Sequence, residues 1–276
     1  NAAEIELRFP SVGATHQILM AAALTPGTTT LTNAACEPEI ETVAEFINSM
    51  GGDIEGAGSP CIVIHGKSQL GGGAITLPGD RIEAATYLLA AAATGGQIEL
   101  RQISADHFGN FLVVLDEMGV VLDVFEGGLT VQAPRKLKAI DVATGPFPEF
   151  ATDMQPLLMA ALTTAEGVSR VEENIYEGRF GHVAELCRLG ADIQVNQRTA
   201  TVKGVPSLSG APVETHDIRA GAALVIAALS AEGVSAIYEP QHLWRGYQNI
   251  VGNLCSLGAV IGRRISDPED FILSGC

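Results

Sequence analysis

The sequence predicts an α/β fold made of four copies of one βαβαββ repeat, each about 70 residues long. An alanine-rich apolar helix followed by glycine recurs four times, and a second type of helix that ends in glycine recurs in step with it. The glycines after the first helix are Gly27, Gly96, Gly167 and Gly233, spaced by 69, 71 and 66 residues. The glycines after the second helix are Gly51, Gly119, Gly190 and Gly258, spaced by 68, 71 and 68 residues. Two landmarks that share one period indicate a true internal repeat.

The third repeat shows the predicted elements in order. We expect a strand at 139–142, a helix from 153, a strand at 168–172, a helix at 181–189 and two strands at 191–195 and 199–202. A glycine after each helix is the expected left-handed terminator. The glycine-rich segment 71–73 predicts a domain boundary, with one repeat in 1–70 and three repeats in 71–276.

The segment 147–156, with the sequence FPEFATDMQP, reads as a loop that leads into the first helix of the third repeat. Thr152 or Asp153 stands where an N-cap is expected, and Pro156 falls in the first turn, where its missing N–H is tolerated. Asp153 therefore has two interpretations, as a capping residue or as a carboxylate placed at a cleft for proton transfer. The sequence alone favours the cap slightly.

Residues of the capping type begin the first helix of every repeat, and arginines accompany three of them. The capping residues are Ser11, Asp80, Asp153 and Asp217, and the arginines are Arg81, Arg179 and Arg219. Helix N-termini carry partial positive charge and unpaired N–H groups, so repeats packed around a common axis could form an anion site. For any single pair, capping and ion pairing remain the more common interpretation, and the pattern does not select a ligand.

Composition excludes several classes of function. A net charge of −16 disfavours a nucleic-acid or anionic membrane surface. The five cysteines are an odd number without C-x-x-C spacing, and the six histidines lack H-E-x-x-H spacing, so we expect no disulfide framework, no metal site and no cofactor. No apolar run is long enough for a membrane span and no signal-peptide pattern is present, which favours a cytoplasmic protein.

Seven segments of the chain resemble one family, the enolpyruvyl transferases. They are 9–15 (FPSVGAT), 33–35 with 37–40 (NAA and EPEI), 80–83 (DRIE), 152–155 (TDMQ), Glu177 with 179–180, 182–183 and 185–186 (RF, HV and EL), Asp217 with 219–220 (RA), and 245–247 (RGY). The resemblance implies two domains of three repeats each, the arrangement called an inside-out α/β barrel. Four of the six repeats are then present, and the first two are expected to be absent, together with the family's loop cysteine and several basic residues.

The resemblance also implies an activity, namely transfer of the enolpyruvyl group of phosphoenolpyruvate to the 3-hydroxyl of UDP-N-acetylglucosamine with release of phosphate. Asp153 corresponds to the family's general base, Ile175 to a backbone contact with the nucleotide sugar, and Asp217 to an acid near the reacting centre. Arg245 corresponds to an arginine that holds phosphoenolpyruvate, with Arg179 and Arg219 as supporting members of the anion cleft. The residues that correspond to the uridine-binding segment are Phe9, Pro10, Ser11, Val12 and Gly13.

Three alternatives remain open at this stage. The chain could be the larger part of an enzyme whose other repeats lie on a separate chain or fragment, and it would then be inactive alone. It could be a truncated, non-catalytic protein that binds a nucleotide sugar, or a transferase with another acceptor. The sequence departs from the family pattern at Cys36, Ala151 and Trp244, which puts local loop geometry in question.

Overall fold

A computed structural model of the protein describes residues 2–263 and 271–275. The chain divides into two compact units. The N-terminal unit comprises Asn1–Gly79 with Pro146–Pro148, and the C-terminal unit comprises Asp80–Gly145 with Glu149–Cys276. The assignment of 1–70 and 71–276 to two domains of a longer enzyme remains a prediction. Within the described ranges, no helix combines the length and the hydropathy that crossing a membrane would require.

The N-terminal unit holds the first repeat, a four-stranded sheet covered by two helices. Its elements are β1 Glu4–Glu6, α1 Val12–Ala23, β2 Gly27–Thr32, α2 Pro38–Ser49, β3 Ile54–Glu55 and β4 Cys61–Gly66. The sheet order is β1-β2-β4-β3, with β1 parallel to β2 and the other pairs antiparallel. Apolar residues of both helices and of β2 and β4, including Leu19, Ile40 and Ile64, form its separate core.

The C-terminal unit holds the other three repeats. The second repeat consists of α3 Arg81–Thr94, β5 Gln97–Arg101, α4 Phe111–Glu117, β6 Val121–Phe125 and β7 Gly128–Gln132. The third consists of β8 Asp141–Ala143, α5 Gln155–Leu162, β9 Val168–Glu172, α6 Val183–Arg188, β10 Asp192–Asn196 and β11 Thr199–Lys203. The fourth consists of β13 Pro212–Glu214, α7 Ile218–Leu229, β15 Val234–Tyr238, α8 Ile250–Ser256, β16 Val260–Arg263 and β17 Phe271–Ser274. Two further short strands, β12 Leu208–Ser209 and β14 Ala231–Glu232, pair with each other.

Sheet topology confirms the α/β repeat. The third and fourth repeats have the orders β8-β9-β11-β10 and β13-β15-β17-β16, so both match the order of the first repeat strand for strand. In each, the first strand is parallel to the second and the rest of the sheet is antiparallel. The second repeat departs from the predicted pattern, because its sheet is only β5-β7-β6 and residues 67–80 contain no strand.

Three apolar helices form the centre of the C-terminal unit. All eight residues of α5 are buried, as are Ala220 to Leu229 of α7 and ten residues of α3. These helices pack directly against one another. A helix that is apolar on every side must be surrounded by protein, and the many alanines permit close approach of the helix axes. The N-termini of these helices carry the candidate site residues.

The predicted glycine terminators are correct for the second type of helix only. Gly51, Gly119, Gly190 and Gly258 each lie two residues beyond a helix with φ between +89° and +104°. After the first type of helix the prediction is wrong. Helices α1, α5 and α7 end four or five residues before the glycine, and α3 is terminated by Gly95, with φ +70°, instead of by Gly96.

A third periodic glycine ends the last strand of the first repeat and directly follows the last strand of the third and fourth repeats. A Cβ atom at Gly66, Gly204 or Gly275 would lie 1.7 Å from the carbonyl oxygen of Thr25, Ala165 or Ala231, respectively. Thr25 and Ala165 lie in the turns after α1 and α5, and Ala231 lies in β14 two residues after α7, so each strand end lies directly against the segment that follows the helix. In the second repeat Ala133 takes this place, because α3 runs on to Gly95 and makes no such turn.

Candidate active site

Asp153 lies between two arginines at the start of α5. Arg179 donates from Nη2 to Oδ1 at 2.9 Å, and Arg219 donates from Nη2 to Oδ2 at 3.1 Å. The side chain of Asp153 is 38% exposed, whereas those of Arg179 and Arg219 are 14% and 20% exposed. The prediction that Asp153 caps the helix is wrong. It lies inside a 3₁₀ turn, Thr152–Met154, and its carboxylate accepts from guanidinium groups instead of backbone N–H groups.

Arg179 is fixed on three sides. Its Nε donates to the hydroxyl of Thr152 at 3.1 Å while its Nη2 holds Asp153. Its guanidinium carbon lies 4.7 Å from the centroid of the Tyr176 ring, a cation–π contact. The residue begins a 3₁₀ turn, Arg179–His182, that leads into α6. This arrangement fixes the plane of the guanidinium, which a lysine in its place could not reproduce.

Glu173 lies directly after β9 and is almost completely buried, at 2% exposure. Its Oε1 atom accepts from the hydroxyls of Thr144 at 2.8 Å and Thr152 at 3.0 Å. The same atom accepts from the backbone N–H groups of Ile175 at 2.9 Å and Tyr176 at 3.0 Å. Its other oxygen is buried without a hydrogen-bond partner among the described residues. The backbone at Ile175, a predicted contact with the nucleotide sugar, is therefore held by this carboxylate.

Arg219 links the third and fourth repeats. It lies in the first turn of α7 and donates to Asp153. Burial alone disfavours its charged form, but the carboxylate of Asp153 and the Tyr247 hydroxyl outweigh this and raise the pKa of Arg219. The Tyr247 hydroxyl also lies 2.7 Å from the hydroxyl of Thr86 in α3. Burial raises the pKa of Tyr247, which keeps the phenol in its neutral form.

Asp217 is the N-cap of α7. Its Oδ1 accepts from the backbone N–H groups of Arg219 at 2.8 Å and Ala220 at 2.9 Å, and Asp80 caps α3 in the same way. These two carboxylates occupy N–H groups that an anion would otherwise use. The arginines, more than the helix N-termini, are therefore the groups left to bind an anionic ligand.

Arg245 ends a 3₁₀ turn, Pro240–Arg245, and its side chain is exposed. The next residue, Gly246, lies against the start of α7, since a Cβ atom there would be 2.8 Å from Cγ2 of Ile218 and 3.8 Å from Nη1 of Arg219. The structure thus brings together Asp153, Arg179 and Arg219, with Asp217 and the loop of Arg245 at the adjoining mouth of α7.

His182 lies beneath this cluster and is 1% exposed. Its Nδ1 lies 3.0 Å from the carbonyl oxygen of Arg179, and its Nε2 is buried without a hydrogen-bond partner in the described part of the chain. Burial lowers the pKa of His182 to about 4, against an opposing effect of that hydrogen bond and of Asp217. The imidazole is therefore neutral at physiological pH.

The predicted uridine-binding segment lies in the N-terminal unit. Phe9 is exposed, Pro10 and Ser11 precede α1, and Val12 and Gly13 begin it. Ser11 is the N-cap, and its hydroxyl accepts from the backbone N–H of Ala14 at 3.3 Å. Ser11 therefore caps its helix as the sequence predicts, and the role of the segment in binding stays a prediction.

One group of side chains in the N-terminal unit could hold a metal ion. Ligand atoms of Asp53, Glu55 and His65 lie within 4.8 Å of one another. However, Lys67 already donates to Oδ2 of Asp53 at 2.8 Å, and the hydroxyl of Thr28 lies 3.0 Å from Nδ1 of His65. The cation of Lys67 competes with a metal ion for the same carboxylate.

Sequence reasoning missed the residues that support the site. Glu173, Thr144 and Thr152 form the network behind Arg179, and Thr86 pairs with Tyr247 across two repeats. A charged residue directly after a buried strand was the available signal for Glu173. The pairing of Thr86 with Tyr247, 161 positions apart, had no local signal.

Known proteins share this fold and much of this sequence. The family model described as EPSP synthase (3-phosphoshikimate 1-carboxyvinyltransferase) matches residues 1–254. UDP-N-acetylglucosamine 1-carboxyvinyltransferase of Thermotoga petrophila is 48% identical over 258 residues, which are 93% of this chain and 61% of that protein. A protein of the same name, numbered 1, from Staphylococcus epidermidis is 48% identical over 261 residues, 95% of this chain and 62% of that protein.

Solved structures of enolpyruvyl transferases are similar to this chain. The enolpyruvyl transferase NikO from Streptomyces tendae matches with a TM-score of 0.84 and 28% identity over 94% of this chain and 64% of that chain. EPSP synthase from Acinetobacter baumannii shares the fold, with a TM-score of 0.77 and 21% identity over 94% of this chain and 63% of that chain. The chain thus spans about three fifths of the length of the curated relatives it matches.

Proposed function

Because this chain belongs to the EPSP synthase family of carboxyvinyltransferases, we propose that it is the larger part of an enzyme that transfers an enolpyruvyl group from phosphoenolpyruvate to the 3-hydroxyl of UDP-N-acetylglucosamine. Such a reaction supplies a precursor of peptidoglycan and takes place in the cytoplasm. The observation that carries the proposal is Asp153, a carboxylate held between Arg179 and Arg219 with its side chain still 38% exposed.

The chemistry requires a base beside bound anions, and the cluster supplies both. One proton is added to the methylene carbon of phosphoenolpyruvate, and the sugar oxygen then bonds to the adjacent cationic carbon while Asp153 accepts the hydroxyl proton. Phosphate leaves from the resulting adduct as the methyl group loses a proton, which restores the carbon–carbon double bond. A positioned base contributes typically 10²–10⁴-fold to such a step.

Positive groups oriented in advance stabilise the phosphate and carboxylate charges of the substrates. Asp153 holds both Arg219 and Arg179, and Thr152 also accepts from Arg179, so little reorganisation is needed when an anion arrives. Arg245, which is exposed at the end of its 3₁₀ turn, would contact phosphoenolpyruvate, and Asp217 lies at the mouth of α7. The backbone at Ile175 would contact the nucleotide sugar.

The test uses the protein completed with the region that its relatives have in addition. We expect Asp153→Asn to lower phosphate release by at least about 10²-fold, since the amide cannot accept the proton. Calorimetric binding of UDP-N-acetylglucosamine should change little, because the fold and the nucleotide contacts are retained. Asp192→Asn, an exposed aspartate of the same repeat, is the control and should keep full activity. Turnover near that of the parent protein in Asp153→Asn would remove this residue from its role.

A transferase with another acceptor is the second candidate, favoured by the match to NikO and to the EPSP synthase model. The assay therefore compares UDP-N-acetylglucosamine with shikimate 3-phosphate at equal phosphoenolpyruvate concentration. Faster phosphate release with shikimate 3-phosphate would select the second candidate. Binding of the nucleotide sugar without turnover by the completed protein would instead indicate a non-catalytic binding protein.

A further inference from the structure

We propose that Glu173 is a positioning residue, which orients Arg179 against Asp153 through the hydroxyl of Thr152. The proposal rests on the proposed function, in which Asp153 and Arg179 act on the substrates. Glu173 itself is buried behind them, at 2% exposure, and its contacts are with the protein.

The hydroxyl of Thr152 is the link, and its single hydrogen fixes the direction of the chain of hydrogen bonds. Glu173 has only acceptor atoms when ionised, so Thr152 must donate its hydrogen to Oε1 at 3.0 Å. The lone pairs of the Thr152 oxygen then face away from Glu173, where Arg179 Nε donates at 3.1 Å. Nη2 of the same guanidinium donates to Oδ1 of Asp153 at 2.9 Å. Glu173 thereby sets the orientation of Arg179 through two successive hydrogen bonds.

A second threonine makes the same contact without reaching the site. Thr144 donates to Oε1 of Glu173 at 2.8 Å, and its oxygen accepts from the backbone N–H of Asn174 at 2.8 Å. Thr144 and Thr152 therefore bind the same carboxylate oxygen with similar geometry, but only Thr152 contacts Arg179. The chain thus provides its own matched control.

Oε1 of Glu173 accepts from four donors, which are two threonine hydroxyls and the backbone N–H groups of Ile175 and Tyr176. These donors explain why a carboxylate can be buried here. Hydrogen bonds to an ionised acceptor are shorter and stronger than neutral ones. An amide oxygen in Glu173→Gln would keep the shape but lose that charge, and its NH₂ group would take the place of the buried Oε2, which has no partner among the described residues. The same carboxylate holds the 175–176 backbone, so one group orients both the arginine and a predicted substrate contact.

The experiment measures solvent exchange of the Arg179 Nε–H proton by NMR in the 276-residue chain, with the signal assigned by its loss in Arg179→Lys. We expect Thr152→Val and Glu173→Gln to accelerate exchange about five- to tenfold, the change that one net hydrogen bond corresponds to. Thr152→Ser, which restores the hydroxyl, and Thr144→Val should remain within about twofold of wild type. The thermal unfolding temperature should fall by a similar amount in Thr144→Val and Thr152→Val, since each substitution removes one hydrogen bond to Oε1 of Glu173.

Equal acceleration in Thr144→Val and Thr152→Val would show general loosening and overturn the proposal. Unchanged exchange in Glu173→Gln, with acceleration in Thr152→Val, would overturn it as well, because Thr152 would then act without the carboxylate. Binding of UDP-N-acetylglucosamine to the completed protein tests the proposed function separately. If the exchange contrast holds and the completed wild-type protein does not bind the nucleotide sugar, the proposed function fails and the positioning role stands.

Discussion

At the scale of single residues, each carboxylate oxygen of Asp153 accepts a hydrogen bond from a different arginine. The plane of the carboxylate is fixed by Arg179 on one side and Arg219 on the other. The contribution of these ion pairs to stability is small, because the Asp153 side chain is 38% exposed and solvent screens its charge. The pairs are therefore better explained by orientation of reactive groups than by stability of the fold.

His182 predicts a specific dependence of stability on pH. Its pKa is about 4 in the folded chain and near 6.5 in the unfolded chain, so between these values the unfolded chain binds more protons and stability falls as pH falls. From pH 7 to pH 5 this residue should remove about 2 kcal/mol from the free energy of unfolding. Chemical denaturation of wild type and His182→Gln at both pH values measures the difference.

The His182→Gln variant cannot titrate at position 182, so its loss of stability from pH 7 to pH 5 should be smaller than that of wild type by about 2 kcal/mol. His216→Gln, which alters an exposed histidine, should follow the wild-type dependence. Identical pH dependence in His182→Gln and wild type would contradict a buried, neutral His182.

Single elements show what the sequence could and could not predict. The strand at Val168–Glu172 lies where it was predicted, and the second helices end at the expected glycines, because both patterns are local. The predicted cap at Asp153 failed because Arg219, 66 positions away, attracts the carboxylate more strongly than the nearby N–H groups do. The strand expected at the start of the second repeat is absent from residues 67–80, although the period itself holds there.

The strand-end glycines give a prediction at the scale of the element. In Gly204→Ala the new Cβ atom would lie 1.7 Å from the backbone oxygen of Ala165, so the end of β11 or the turn after α5 must move. We expect a loss of about 3 kcal/mol in the free energy of unfolding, at the upper end of overpacking effects. Gly72→Ala is the control, because a Cβ atom at Gly72 would have no other atom within 4 Å and the φ of this residue is not positive. Denaturant unfolding of the two variants should therefore differ clearly, and equal stability would show that the contact between turn and strand is loose.

At the scale of the whole molecule, the charge balance limits what the chain can do alone. The protein carries a net charge of −16, and Arg179 and Arg219 are both paired with Asp153. Asp80 and Asp217 add negative charge at the neighbouring helix N-termini. The polyanionic substrates of the proposed reaction therefore need more positive charge than Arg179, Arg219 and Arg245 supply. The proposed function therefore requires further basic residues in the region that the curated relatives have and this chain does not span.

We therefore expect the 276-residue chain, verified by intact mass at 28.7 kDa, to release phosphate from phosphoenolpyruvate and UDP-N-acetylglucosamine no faster than buffer does. Addition of the region that the curated relatives have and this chain does not span, as a fused segment or as a separate fragment, should produce turnover, because the proposed reaction requires further positive charge. A phosphate-release assay on the two preparations makes the comparison, with Asp153→Asn in the completed protein as the inactive control. Turnover by the verified 276-residue chain would show that the four repeats already contain a complete catalytic site, and the charge argument would then be wrong.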